Sequence, residues 1–319
     1  MESIGKEMNP TTRIIVKLLI LALVLGLFSL LSAVRSAAQD GTKPVVFVES
    51  RTARTLSVDA VTQQLAPYDV VLFGEFHDSQ PVHDAELAVL KCLYRQHGKR
   101  LVLSMEMFER DVQPVMNQYL AGTLTEQEFL AASRPWPQYD RAYRPLVEFA
   151  KAHQIPIVTG NIPRRIAAAY AKTGTLAQTA EADTVYLPKQ HRAGSEAYRK
   201  KFAAAMAAMG GLPGGMQIPP QRVQPMFMAQ CLKDDAMAES IAAYRREHAD
   251  AVVYHVVGNF HSSGHLGMAE KLAALEPAAR IAVIDTVHDD GAKDDIQAVA
   301  KAHGADGEYL ALETAHKVP

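Results

Sequence analysis

The sequence predicts an α/β protein, a mostly parallel sheet flanked by helices with a helical cap inserted in the middle. Short β-rich apolar runs alternate with longer stretches whose apolar residues recur at helical spacing, the pattern of strands joined by crossover helices. This alternation is regular at both ends of the chain and breaks between Ile162 and Asp250. With 48% hydrophobic and 21% charged residues in 319, the chain has material for a large core, which excludes a disordered chain or a coiled coil.

Residues 18–34 carry no charge and follow Arg13 and Lys17, and Ser36-Ala37-Ala38 supplies the small residues that a signal peptidase reads. The expectation is a signal peptide at 1–38, cleaved after Ala38. The alternative is an uncleaved inner-membrane anchor, since about 17 apolar residues is the lower limit for a span. Either way residues 39–319 are expected to be exported to the periplasm or cell envelope as a single domain, touching membrane only through an uncleaved segment. No Cys lies near the cleavage point, which excludes a lipidated N-terminal Cys.

The strands expected in the exported part are 45–48, 70–73, 101–105, 155–158, 251–257, 280–284 and, more weakly, 308–312. A helix at 57–65 starts on a capping Ser57, and one at 81–97 has Pro81 in its first turn and Gly98 just past its end. The segment 121–151 is expected to contribute to the helical cap. The cap, at about 162–250, holds helical patterns, a Met-, Gly- and Pro-rich stretch at 206–220 and a weak strand candidate at 184–187.

Removing residues 1–38 takes away four basic and two acidic groups, which lowers the formal net charge from −2 to −4. That balance offers no basic field for counterion release, so nucleic acid is not an expected partner. Cys92 and Cys231 remain, either paired in an oxidising compartment or buried as free thiols. There is no Cys-x-x-Cys-His, so any haem is held without covalent attachment, and no Cys/His spacing suits structural zinc.

Polar residues gather where the strands end: Glu75 and His77 after 70–73, Glu106 after 101–105, Asn161 after 155–158, and Asn259 and His261 after 251–257. In an open parallel sheet these ends converge on one edge, where ligands bind. Glu and His are suitable ligands for a divalent metal, so Glu75, His77, Glu106 and His261 are the candidate metal set. The plain reading of any one of them is a helix cap or a solvated turn.

GEFHD at 74–78, MEMFERDVQP at 105–114, YRPLVEFA at 143–150, NIPR at 161–164, AQCLKDDAMAESI at 229–241 and GNFH at 258–261 together resemble the ChaN-type haem-binding proteins. Their superfamily also holds the Tiki, TraB and erythromycin esterase-like proteins. The resemblance runs in order from about Val70 to Ile284. It implies an α/β fold, export to the cell envelope, haem binding and a role in iron acquisition, with tyrosine ligation at a dimer interface and so a homodimer. It also leaves room for a receptor or transporter that exchanges haem with this protein. The chain departs from lipoprotein members in lacking a lipidated Cys.

Two functional classes follow. In the first, haem is sandwiched under the cap with iron ligated by Tyr or His. The candidates are Tyr139 and Tyr143, beside Arg141 and Arg144 for the propionates, with Asn161 and Asn259 nearby. Plain helix packing is the alternative for either tyrosine, and plain core for Met206, Met209, Met216, Met226 and Met228, which could otherwise wall the site. The second class is a metal-dependent hydrolase, peptidase- or esterase-like, in which a metal-bound water is the nucleophile and Glu75 or Glu106 is the general base. There is no Gly-x-Ser-x-Gly elbow, P-loop or Gly-x-Gly-x-x-Gly after a strand, so serine hydrolases and nucleotide-binding enzymes drop out. Asp234 and Asp235 are read either as facing the crevice or as a solvated helix face with Lys233. His255 is read as core or supporting, and His265 is left outside the site.

Overall fold

A computed structural model of the chain describes residues 44–208, 220–289 and 295–314. The expected signal segment and the positions of Met209 and Met216 lie outside the described residues.

Eight strands form one sheet: β1 (Val46–Glu49), β2 (Arg54–Leu56), β3 (Val70–Glu75), β4 (Leu101–Glu109), β5 (Ile157–Asn161), β6 (Val252–Gly258), β7 (Ile281–Asp289) and β8 (Tyr309–Thr314). Their order is β2-β1-β8-β7-β3-β6-β4-β5. All neighbours from β8 to β5 run parallel, while β1 is antiparallel to both β8 and β2. The expected α/β sheet is therefore present. The hairpin strand β2 was not anticipated, because Arg54–Leu56 is short and largely exposed and offers no apolar alternation.

The central strands are covered on both faces, which is why they read as nearly unbroken apolar runs. Side chains alternate along each strand. Val71 and Phe73 of β3 enter a core built with α1 (Val58–Leu65), α2 (Gln80–His97), α3 (Gln113–Leu120), α4 (Glu126–Ser133), α5 (Tyr139–Ala142) and α6 (Arg144–Ala152). Val70 and Leu72 face the other way. There they meet Met237, Ala238, Ile241 and Ala242 of a long helix and Met268, Ala269 and Leu272 of a short one. Ser57 caps α1 by accepting from Ala60 N, and Ser79 caps α2 by accepting from Val82 N.

The segment after β5 contains α7 (Arg164–Thr173), α8 (Glu196–Ala208) and α9 (Pro220–Glu247), with α10 (Met268–Leu275) and α11 (Ile296–His303) further on. The C-terminal half of α9 lies against the sheet as one of its flanking helices, because Ala238 and Ala242 let the helix approach the strands closely. Its N-terminal half packs instead on α7 and on Tyr198 and Phe202 of α8, where Met206, Met226 and Met228 are wall residues of the same cluster. The expected strand at 184–187 is instead part of a 3-10 helix, Glu181–Tyr186, in which Val185 is 74% exposed. Among the described residues it pairs with no strand, and β5 remains the sheet edge.

Cys92 and Cys231 are both buried free thiols in this structure. Burial pushes the Cys231 thiol up to about 12 and also raises Cys92. Both are expected to resist a thiol reagent in the native protein and to react together once it is unfolded. Fast modification of either under native conditions would contradict this packing. Among the described residues no helix is long and apolar enough to cross a membrane.

Candidate functional site

The strand order places the ends of β3, β6 and β4 side by side, with Glu75 in register with Gly258. Two glycines make this approach possible. A Cβ on Gly74 would lie 2.8 Å from Ser262 Oγ and 2.9 Å from Asn259 Cα, so the turn after β6 rests directly on the end of β3. A Cβ on Gly258 would lie 2.8 Å from His77 Nε2 and 3.4 Å from Glu106 Oε2. The resulting crevice, of about 530 Å³, is lined by Glu75, His77, Glu106, Asn259 and His261 together with Phe76, Trp136, Gln230, Lys233 and Phe260. Its size is within the usual range for small-molecule sites, about 300–1,000 Å³.

Two charged groups sit in this crevice. In the first, Glu75 Oε1 is 2.5 Å from His77 Nδ1 and accepts from the Tyr143 hydroxyl at 2.7 Å. Behind them His83 Nδ1 lies 3.1 Å from Glu86 Oε2 and 3.5 Å from Glu75 Oε2, while its Nε2 donates to the His77 carbonyl at 3.1 Å. Burial opposes the charge on Glu75, and hydrogen bonds from His77 and His83 override it and draw its carboxyl down to about 2. Burial and the adjacent Glu75 charge hold Glu86 well above the usual carboxylate range. In the second group Glu106 Oε2 accepts from Gly258 N at 2.8 Å, and Glu106 Oε1 is 3.3 Å from His261 Nε2. His261 Nδ1 is 2.5 Å from Asp234 Oδ1. Burial works against a charged His261, but Glu106 and Asp234 lift it to about 9. The same contacts hold Glu106 below the usual carboxylate range against its own burial, whereas burial raises Asp234.

The structure brings Glu75, His77, Glu106, Asn259 and His261 together, but not as one metal sphere. Among the described residues, the group whose ligand atoms all lie within 4.8 Å of one another is Glu75, His83 and Glu86. Asn161 is a backbone brace and does not line the crevice: its Nδ2 donates to the Glu106 carbonyl at 2.9 Å and its Oδ1 accepts from Ile162 N. It thereby holds β4 where its pairing with β5 shifts register between Met105 and Glu109.

The haem-contacting set fares differently. Tyr139 is buried against Phe108 and Phe129, away from the crevice. Tyr143 is fully buried beneath it, spending its hydroxyl on Glu75. Arg141 is exposed, and Arg144 pairs with Glu126 through its Nη2 at 2.9 Å. The two short helices that carry them, α5 and α6, turn their apolar faces into the core, which leaves the arginines in solvent and the tyrosines buried.

Gln230, His83 and Glu86 are site residues outside the expected set, and Asp234 takes the crevice-facing one of its two readings. His83 and Glu86 are one turn apart on the first turns of α2, and Gln230 and Asp234 are one turn apart on α9, so each pair shares a helix face. Asp235, by contrast, points away from the crevice and is held by His191, Arg192 and Lys271. His255 is buried on Ser104 and drawn down to about 3 by burial, a neutral core residue. His265 is half exposed beside Glu308.

Replacing Gly258 by Ala is expected to push the His77 ring off the floor of the crevice, since the new Cβ meets it well inside van der Waals contact. The expected cost is about 1–3 kcal/mol of stability, with a change in the His77 ring resonances. Unchanged stability and an unchanged His77 signal would count against the packing.

The fold and site together define an α/β protein with a polar, Glu- and His-lined crevice at the carboxyl edge of a mostly parallel sheet. Residues 61–272 match the family model described as haem-binding uptake, Tiki superfamily, ChaN, and the chain belongs to this family. Among solved structures it is similar to one described as cofacial heme binding to ChaN of Campylobacter jejuni, with a TM-score of 0.63 and 15% identity over 86% of this chain and 98% of that one. Weaker likenesses are to the type III effector HopBA1, TM-score 0.44 and 10% identity over 81% of this chain and 94% of that one. An erythromycin esterase mutant in its open conformation has a TM-score of 0.46 and 12% identity over 76% of each chain. No curated protein matches the chain.

Proposed function

We propose that this protein binds haem non-covalently in the crevice and serves in haem or iron handling outside the cytoplasm. Family membership across residues 61–272 is the observation that carries this reading, and the crevice chemistry fits it. Phe76, Trp136 and Phe260 give apolar walls for a flat macrocycle, and Lys233 supplies a cation for a propionate. His77 is the exposed donor, with 38% of its side chain in solvent. Haem would supply an iron centre, which a side chain of the crevice would hold. None of the eleven tyrosines lines the crevice and none is exposed, so His77 takes that role here in place of Tyr139 or Tyr143. Glu75, hydrogen-bonded to His77 Nδ1 and to Tyr143, orients the ring.

In this proposal residues 1–38 direct export, 39–319 act as one domain in the periplasm or envelope, and two copies associate when loaded. A haem receptor or transporter is the expected exchange partner. Titrating the purified mature protein with haemin tests the reading: a saturable Soret shift is expected, and its absence overturns it. His77→Ala is expected to lose or move that band, and Tyr143→Phe to keep it. A Tyr143→Phe loss of the band with His77→Ala intact would return the ligand to the tyrosine.

A further inference from the structure

The cluster beneath the crevice has no assigned purpose in haem binding. Glu75, His83 and Glu86 are all buried, and neither carboxylate hydrogen-bonds to a lysine or arginine among the described residues. Glu86 Oε1 is a buried oxygen with no hydrogen-bond partner, and the buried Glu75 Oε2 has only His83 Nδ1 at 3.5 Å. A buried oxygen that accepts nothing is costly and calls for an explanation such as a proton or an ion. His83 is already oriented as a ligand. Its Nε2–H donates to a carbonyl, which can only accept, so Nδ1 is the nitrogen that faces both carboxylates, and loss of its proton would turn a lone pair toward them. The 3.1 and 3.5 Å separations of Nδ1 from Glu86 Oε2 and Glu75 Oε2 bracket the tetrahedral edge of about 3.3 Å set by metal–ligand bonds of about 2.0 Å.

We propose that Glu75, His83 and Glu86 form a buried site for a small divalent cation with mixed nitrogen and oxygen preference, of the zinc, cobalt or manganese class. The ion would tie the end of β3 to the first turns of α2 and, through Glu75, set the position of His77 above it. Loading would displace the proton that burial and the Glu75 charge keep on Glu86 and the one that the two carboxylates keep on His83, so that two carboxylates and a neutral imidazole face the dication beside His77. The site is separate from Glu106 and His261, and it stands whether or not the crevice binds haem.

The test uses the full-length, haem-free protein, stripped with chelator and then titrated with Co(II). One equivalent should bind, with saturable d–d absorption that Zn(II) displaces, and the melting temperature should rise with added Zn(II). His83→Gln and Glu86→Gln should each lower retained metal at least tenfold, whereas Glu106→Gln should retain the full equivalent. Wild-type protein that shows no saturable Co(II) band overturns the proposal, and this measurement decides even where the variants fail to fold. Metal retained by His83→Gln and Glu86→Gln but lost from Glu106→Gln overturns it as well, by moving the ion into the crevice.

Discussion

His261→Ala should cost about 3–5 kcal/mol of folding stability, the range for removing one partner from a buried charge pair. His261 is buried between Glu106 and Asp234, both themselves buried, and its imidazolium is what lets the two carboxylates lie on opposite sides of one ring. Without it the carboxylates face a cavity, and one must take up a proton or draw in water. For a domain of this size that corresponds to a drop in melting temperature on the order of 10 °C. Urea denaturation at neutral pH checks the figure, with an unchanged slope expected because the fold is retained. Adding Glu106→Gln to His261→Ala should cost less than the two single changes summed, since the second removes the charge that the first left unpaired. A loss under about 1 kcal/mol in the single variant would show that this triad is solvated.

The sheet was legible because its strands are short and buried on both faces, so their apolar runs stand out between helical periods. Val70–Glu75 and Val252–Gly258 are the clearest cases. What escaped was decided by contacts from elsewhere in the chain. β7 continues past Ile284 through Asp285, Thr286 and His288 because Thr286 Oγ1 donates to the Gly74 carbonyl and the strand pairs with β8 to its end. Those polar residues resemble a strand terminus in isolation. The role of α9 depended likewise on which of its faces met the sheet, and alanine-rich faces look alike in a sequence.

The site divides along the same line. Glu75, His77, Glu106, Asn259 and His261 could be found because parallel topology sends every strand end to one edge, so a polar residue there is placed by connectivity alone. Asp234, Gln230, His83 and Glu86 arrive on helices, and a helix face is assigned only when its partner is known. Asp234 and Asp235 show how little separates the outcomes: adjacent residues, one against His261 in the crevice and the other holding the loop at His191. Tyr139 and Tyr143 were open to both readings, and the structure buries both. An aromatic residue with a polar tip suits both a ligand site and a core, and here the core prevailed.

Stability of the chelator-treated protein should fall as pH rises from about 6.5 to about 9. A folded His261 lifted to about 9 keeps a proton that the unfolded chain, with an ordinary imidazole near 6.5, gives up across this interval. The folded state then binds more protons than the unfolded one, and the unfolding free energy declines with pH by up to about 1.4 kcal/mol per unit for that group. The stabilisation is complete below about 6.5 and gone above about 9. Asp285, which burial raises to about 8, adds to the same decline, because its unfolded carboxyl is already ionised throughout the interval. His255 acts from the other side: drawn down to about 3 by burial, it stays neutral in the fold, so stability is also lost as pH falls below about 6.5. Urea midpoints at half-unit steps should therefore decline between pH 6.5 and 9, with a shallower limb in His261→Ala than in the wild type, while below pH 6.5 the His255 and Asp285 contributions oppose each other. A wild-type limb that is flat or rising between 6.5 and 9 would mean that His261 is neutral in the fold, and the arrangement of Glu106 and Asp234 about an imidazolium would then have to be abandoned.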